Sequence, residues 1–327
     1  MLCLGIESTA HTFGVGIVDE HAHVLANVIQ MYVPQSGGIH PRACANHHCD
    51  VACAAVSEAI QKANVTLKDI DLIAFSQGPG LGPCLRTGAT AARALSLSLE
   101  KPIIGVNHCI AHIEIGRGTT QCNDPALLYV SGGNTQVIAF ASGRYRVFGE
   151  TLDTGIGNFI DKLGRALGIP FPAGPEIEKL AKRGKKLLKL PYSVKGMDVA
   201  FSGMLTAALA LHKKGEKIED ICYSIQEHAF AMLVEVTERA MAHVGKDEVL
   251  LGGGVARNRR LQEMVHTMAE QRNARFFIPE PELCVDNGAM IAYLGILMYN
   301  SGIRHKLEDT EIKQRFRTDE VDVKWRS

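Results

Sequence analysis

Leu127-Leu128-Tyr129-Val130-Ser131-Gly132-Gly133-Asn134-Thr135-Gln136 is an apolar run, a turn of small residues and the start of a second strand. Small residues at such a turn let backbone N–H groups approach a phosphate with no Cβ in the way. The N-terminus carries a counterpart: Leu2–Glu7 runs apolar into Ser8-Thr9-Ala10, which offers hydroxyls and a carboxylate. A lone Ser-Gly-Gly is usually just a β-turn. Two such turns, each opening a chain half, predict a duplicated fold.

Outward from these turns the halves run in parallel. After Leu2–Glu7 come strand-like runs at Phe13–Val18 and Val24–Val33, a helix over Arg42–Ala63 and a strand at Leu72–Ser76. The glycine-rich turn Gln77–Pro83, a helix to Leu99 and a strand at Ile103–Asn107 follow. The second half has strands at Leu127–Val130, Thr135–Ala141 and Arg144–Glu150, helices from Gly157 to Val244 and a strand at Glu248–Leu251. A turn at Gly252-Gly253-Gly254, a helix over Arg257–Gln271, a strand at Arg275–Ile278 and an apolar helix over Asn287–Tyr299 complete it. A β-β-β-α-β-α order met twice predicts an α/β fold of two lobes, residues 1–125 and 126–302, with a ligand cleft between them and a tail over 303–327 packing back on the first lobe. Gly78-Pro79-Gly80-Leu81-Gly82 lacks dinucleotide-fingerprint spacing and is read as structural or as part of a cleft wall, whereas Gly252–Asn258 suits either a nucleotide near a helix N-terminus or a tight turn with close helix packing.

The 327 residues carry 35 Lys plus Arg against 35 Asp plus Glu, so no global field draws the chain to polyanions and any polyanion must find a local patch. Short basic clusters stand at Lys182–Lys186 and Arg257–Arg260. The N-terminus shows no basic segment followed by a cleavage site, and no run of eighteen apolar residues occurs, which predicts a soluble cytoplasmic protein. Nine cysteines, an odd number scattered through apolar stretches, are read as reduced packing residues. Cys44, Cys49 and Cys53, with His47 and His48 among them, lie on an amphipathic helix without Cys-x-x-Cys knuckles and are read as packing rather than as a metal site.

His108 and His112 are different, because imidazoles four apart on one helical turn face the same way and can chelate one cation, although in a chain with 13 His such a pair is also an ordinary helix-surface coincidence. Their positions are read as facing the helix surface. A third ligand must come from elsewhere; Asp286 is a candidate, although an Asp that begins an apolar helix is also an ordinary cap. Cys109 occupies the place where a His-Glu-x-x-His protease carries its base, which argues against that chemistry.

Taken together, several segments resemble the archaeal and eukaryotic KEOPS-complex threonylcarbamoyltransferases, whose bacterial relative is TsaD. They are Gly5-Ile6-Glu7-Ser8-Thr9-Ala10-His11-Thr12, Gly37-Gly38-Ile39-His40-Pro41, Phe75-Ser76-Gln77-Gly78-Pro79-Gly80, Asn107-His108-Cys109-Ile110-Ala111-His112, Tyr129-Val130-Ser131-Gly132-Gly133-Asn134-Thr135-Gln136 and Asp286-Asn287-Gly288-Ala289-Met290. Each is weak alone; in this order they are specific and span almost the whole chain.

The resemblance implies the actin-like ATPase (ASKHA, ribonuclease H-like) fold and one iron or zinc ion held by His108, His112 and Asp286 with Tyr129. It also implies ATP, AMP or threonylcarbamoyl-AMP on Tyr129, Val130, Ser131, Gly132, Gly133, Asp161, Gly174, Glu178 and Asn258. Arg257 stands where the family has a small or polar residue. The implied reaction moves threonylcarbamoyl from its AMP anhydride to the exocyclic amine of the adenosine 3′ of the anticodon in tRNAs reading codons that begin with adenine. The implied partners are tRNA, a kinase-like ATPase subunit, a small dimerising subunit and an accessory subunit, which would supply much of the RNA grip. No catalytic residue is assigned. The alternatives are another ATPase of the fold, a metal-dependent glycoprotein endopeptidase and a non-catalytic scaffold.

Overall fold

Both anticipated turns sit at the ends of central strands in two separate sheets. The computed structural model describes residues 1–34 and 38–326; Gly37, quoted above, and the last residue of the tail, Ser327, lie outside them. The chain divides into two units: Met1–Gln121 with Ser142–Tyr145 and Asp286–Ser327, and Cys122–Ala141 with Arg146–Val285.

The first unit contains β1 (Leu2–Glu7), β2 (Thr12–Asp19), β3 (Val24–Met31), α1 (Pro41–Ala63), β4 (Leu72–Gly78), α2 (Gly82–Leu99), β5 (Ile103–Asn107) and α3 (His108–Thr119). Its sheet has the order β3-β2-β1-β4-β5, antiparallel at β1–β2 and β2–β3 and parallel at β1–β4 and β4–β5. The second unit contains β6 (Ala126–Val130), β7 (Thr135–Ala141), β8 (Arg144–Glu150, its first two residues grouping with the first unit), α4 (Ile156–Ala166), α5 (Gly174–Ala181) and a small hairpin of β9 (Val194–Lys195) and β10 (Asp198–Val199). It continues through α6 (Ser202–Lys213), α7 (Ile218–Val244), β11 (Glu248–Gly252), α8 (Arg259–Gln271), β12 (Arg275–Phe277) and α9 (Pro281–Cys284). Its sheet order is β12-β11-β6-β7-β8, which is the order of the first sheet with each strand replaced by its counterpart. The predicted duplication is present at the level of strand order.

The central strands are buried on both faces, as apolar strands between helices must be. Leu4, Ile6, Val15, Ile17, Ile73 and Phe75 anchor one core, and Leu128, Val130, Val249 and Leu251 anchor the other with Phe159, Phe201 and Phe230. Proline in the first turn of α1 starts that helix where its missing N–H costs nothing, and left-handed Asn64 (φ 54) ends it.

The final helix, α10 (Gly288–Asn300), corrects the expected boundary at residue 302. It belongs to the first unit, where it packs on β1, β2 and β4 and against α3. Gly5 and Gly16 are cross-strand partners on β1 and β2, and they let α10 approach at backbone contact. A Cβ on Gly16 would stand 2.2 Å from the Ala289 nitrogen, and one on Gly5 would stand 2.3 Å from the Ala292 nitrogen. The helix thereby buries Met290, Ile291, Leu294 and Ile296, each worth about 1.5–3 kcal/mol.

The tail also packs within the first unit. Gln77 donates from Nε2 to the Asp309 and Glu311 carbonyls at 2.8 and 2.7 Å, and Asn107 donates to the Phe316 carbonyl at 3.0 Å. The Gly78–Gly82 turn is held in the same way: the Gly80 N–H donates to the Gln314 carbonyl at 3.2 Å and the Leu81 N–H to the Thr9 carbonyl at 2.7 Å. No described helix is long and apolar enough to cross a membrane.

Candidate functional site

β5 delivers the chain straight into α3, and the Asn107 side chain caps the helix by accepting from the Cys109 and Ile110 N–H groups. His108 therefore falls at the first helical residue and His112 one turn on, with ring centroids 4.9 Å apart and the rings nearly perpendicular. Both are buried, at 3 % and 2 % exposure, where surface-facing positions were expected. The reason is α10, which packs on α3. The sequence His108–Gly116 is apolar on nearly every face, which was the available signal that this helix is enclosed.

Asp286 closes the cluster. It was expected to begin the last helix, but the cap is Asn287, whose side chain accepts from the Met290 N–H at 2.9 Å. The Asp286 carboxylate is thus not spent on the helix, and its Oδ1 lies 3.4 Å from His108 Nε2 and 3.4 Å from His112 Nε2. One ligand atom from each of the three side chains lies within 4.8 Å of the other two. Burial alone would raise the Asp286 carboxyl, but the facing His108, seconded by His112, outweighs it and holds the group well below the usual carboxylate range. Burial lowers His112, partly opposed by Asp286, and so favours the neutral imidazole that a metal requires.

Behind the cluster lies Glu7, a fully buried residue that spacing alone did not single out as functional. Its Oε2 accepts from His108 Nδ1 at 2.9 Å, and its Oε1 accepts from the Thr9 N–H at 2.7 Å and from the Thr9 hydroxyl. Because a carboxylate only accepts, His108 holds a proton on Nδ1, and Nε2 is the ring nitrogen that faces the cluster, the arrangement that orients metal-bound histidines. The donor set of two imidazoles and one carboxylate fits a first-row divalent ion such as iron or zinc. Neighbouring Cys109 is pushed up to about 11 by burial and stays a thiol.

The residues named for the nucleotide all stand in the second unit. Tyr129, Val130 and Ser131 end β6 or follow it; Tyr129 lies in register with Gln136 and Gly252 and is fully buried. The Ser131 N–H donates to the Asn134 carbonyl at 2.8 Å, closing the turn. A Cβ at Gly133 would meet no protein atom within 4 Å, so protein packing does not explain that glycine. The N-terminus of α4 is joined to the same turn, with the Gly157 N–H donating to the Ser131 carbonyl and the Asn158 N–H to the Gly132 carbonyl, each at 3.0 Å. Gly174 and Asn258 share the lining of an apolar crevice with Phe159, Ile177, Ile225 and Phe230.

Three of the polar candidates carry protein bonds already. Asp161 accepts from the Ala173 N–H at 2.8 Å. Glu178 is ion-paired with Lys182 at 3.3 Å and accepts from the Arg259 N–H at 3.4 Å. Asn258 caps α8, accepting from the Arg260 and Leu261 N–H groups, and donates to Gln226 at 3.0 Å. The turn expected at Gly252–Gly254 continues through a short 3₁₀ segment, Gly254–Arg257, so α8 begins at Arg259 and not at Arg257. Arg257 and Arg259 line a separate open pocket with Gln262, Glu263 and Pro281.

Comparison with known proteins is decisive for the family. The family model described as TsaD: tRNA N6-adenosine threonylcarbamoyltransferase matches residues 23–293. A Thermococcus kodakarensis protein of that name is 60 % identical over 326 residues, 99 % of this chain and 100 % of its own. A Thermoplasma volcanium protein called a probable bifunctional tRNA threonylcarbamoyladenosine biosynthesis protein is 60 % identical over 325 residues, 99 % of this chain but 62 % of its own. Among solved structures, Thermococcus kodakarensis HypF aligns with TM-score 0.67 and 16 % identity over 95 % of this chain and 49 % of that one. The activator of 2-hydroxyisocaproyl-CoA dehydratase from Clostridium difficile, with bound ADPNP, aligns with TM-score 0.57 and 12 % identity over 94 % and 99 %. These distant likenesses carry the fold alone, and it is the actin-like ATPase fold.

Proposed function

Because this chain belongs to the tRNA N6-adenosine threonylcarbamoyltransferase family, whose members are acyltransferases, we propose that it is the subunit that performs the transfer within a KEOPS-type complex. The donor in this reading is threonylcarbamoyl-AMP. The exocyclic amine of the adenosine 3′ of the anticodon attacks the carbamoyl carbon, the carbon–oxygen bond to the AMP phosphate breaks, AMP leaves and the amine gives up a proton. The observation that carries the reading is the buried His108–His112–Asp286 cluster with Glu7 behind it.

His108, His112 and Asp286 would hold one iron or zinc ion. When bound, such an ion supplies Lewis-acid polarisation of an acyl or phosphoryl oxygen. Glu7 keeps a His108 proton on Nδ1 and so leaves Nε2 for the ion. Burial keeps His112 neutral for the same purpose. In the second unit, the Ser131–Gly133 turn would offer N–H groups to the adenylate phosphate, with Gly174 and Asn258 beside the rest of the nucleotide. Glu178 suits ribose hydroxyls, which donate to a carboxylate; it would exchange its contact with Lys182 for that role. Asp161 acts by fixing Ala173 ahead of α5.

The substrate in this reading is tRNA, in the cytoplasm, and the partners are a kinase-like ATPase, a small dimerising subunit and an accessory subunit. The length of the Thermoplasma relative beyond the match, together with the word bifunctional in its name, supports a second activity allied to this one. The test is to reconstitute the chain with those subunits, tRNA, ATP and threonylcarbamoyl-AMP itself, and to quantify the modified nucleoside by mass spectrometry. Modification that depends on the chain and falls to background in His108→Ala/His112→Ala is expected. Full activity of that variant, folded and free of metal, would remove the metal from the reading; absence of any modification with wild-type protein would overturn the transfer itself.

A further inference from the structure

We propose that Cys44, His48 and Cys84 form a second metal site, a sulfur-containing one for a divalent cation of the zinc class, distinct from the His108–His112–Asp286 cluster. Cys44 and His48 are four residues apart on α1 and so share one face of the helix, and Cys84 comes from the first turn of α2. One ligand atom from each lies within 4.8 Å of the other two, and Cys44 Sγ is 3.6 Å from His48 Nε2. All three residues are fully buried.

Packing alone accounts poorly for this convergence. A cysteine that merely fills space is at home among aliphatic side chains, whereas here two thiols and an imidazole meet one another and backbone oxygens. The Cys44 thiol donates to the Ala10 carbonyl at 2.9 Å and the Cys84 thiol to the Pro41 carbonyl at 3.7 Å. Charge selects the ion. Two thiolates and a neutral imidazole around a divalent cation sum to zero, so the buried site carries no net charge to desolvate. A monovalent copper ion would leave a negative charge inside the core, and magnesium or calcium would find no carboxylate among the three donors. Zinc with two sulfurs and one nitrogen completes four-coordination with an oxygen, and the Ala10 carbonyl is the nearest one shown.

The site would fasten three elements. Ala10 ends the turn that contains Thr9, and Thr9 is hydrogen-bonded to Glu7, the residue behind His108. An ion joining α1 and α2 beside that carbonyl would therefore steady the turn on which the Glu7 contact depends. The other α1 thiols do not belong: Cys49 and Cys53 are exposed, and Cys49 Sγ lies 3.7 Å from the Thr87 hydroxyl.

The two sites differ in sulfur, and the experiment reads that difference. Purified full-length chain, stripped of metal and fully reduced, is titrated with Co²⁺ in the absence of oxygen and its near-ultraviolet thiolate-to-cobalt charge-transfer band is followed. The band is expected in wild type and in His108→Ala/His112→Ala, and it is expected to vanish in Cys44→Ser/Cys84→Ser. X-ray absorption on zinc-loaded wild type requires no mutation and should show a sulfur shell at about 2.3 Å. Reduced, folded wild type with neither the band nor a zinc–sulfur shell would overturn the proposal. So would a band that survives removal of both thiols.

Discussion

His108 donates from Nδ1 to the buried Glu7 carboxylate at 2.9 Å while its Nε2 stands 3.4 Å from Asp286 Oδ1, so one imidazole is gripped between two carboxylates with Nδ1 fixed as a donor. Glu7→Gln keeps the shape but exchanges an obligate acceptor for an amide that can present its N–H₂ to Nδ1. Metal affinity should fall 10–100-fold, the usual cost of losing such an outer partner. Competition against a chelator of known affinity measures it, with circular dichroism as the folding control.

The division of labour between Asp286 and Asn287 gives a second test. Asp286→Asn removes the negative charge that both imidazoles face and should abolish metal retention while α10 stays capped. Asn287→Ala should instead cost about 1–2 kcal/mol through the lost cap. Metal content and denaturant midpoints of the two variants should therefore move in opposite patterns.

Gly16→Ala places a methyl where the Ala289 backbone nitrogen already stands. Overpacking of this kind ordinarily costs about 1–3 kcal/mol, and a backbone obstacle puts this case at the upper end or beyond. Since displacing α10 displaces Asp286, the variant should lose both stability and bound metal, although residue 16 touches no ligand.

Acid should weaken the second unit through Asp153. Burial opposes its ionisation, yet the Phe201, Ser202 and Thr154 N–H groups together hold its pKa below the usual carboxylate value. A carboxyl lowered by folding adds stability that is complete above its unfolded pKa and fades as pH falls through the folded one. Asp153→Asn should accordingly show a shallower loss of stability on the acid side than wild type, with the urea midpoint followed from neutral pH downward.

Binding to tRNA should be weak for the chain alone and strong, with a steep salt dependence, for the assembled complex. The formal charge is zero, and much of the local basic charge is matched inside the chain: Lys182 by Glu178, Lys186 by Glu216 and Arg260 by Glu227. Log affinity falls by roughly 0.9 per duplex phosphate neutralised for each tenfold rise in salt, so the slope counts contacts. Neutralising Lys182, Lys185 and Lys186 should leave the complex's slope unchanged; a slope lowered by two or more would place that cluster on the RNA.

The succession of strands and helices in both halves was legible because apolar runs, hairpin turns and their repetition are local signals. So was the His108–His112 pairing, since it rests on helical period alone. Asp286 was legible only as one candidate for a third ligand: its own surroundings looked like a cap, and only the packed structure shows Asn287 doing that work. The placement of α10 was not legible, because an apolar helix does not announce which sheet it covers. Gly5, Gly16 and Gly288 hold that information jointly, and it becomes readable only when the strands are in register. Cys84 was missed as a companion of Cys44 and His48 for a similar reason, since no spacing rule connects the first turn of α2 with α1.

The first unit is assembled from both ends of the chain, and this sets an order of events during synthesis. The Cys122–Ala141 and Arg146–Val285 segments emerge from the ribosome before α10 does. The second sheet can therefore close while the first still lacks the helix that lies on Gly5 and Gly16. Closing so long a loop carries an entropic cost that only native contacts offset, and domains generally fold as their residues become available. The nascent chain thus spends an interval with an unshielded β1–β2 surface and with His108 and His112 waiting for Asp286, so the three side chains can converge only after translation has passed residue 286.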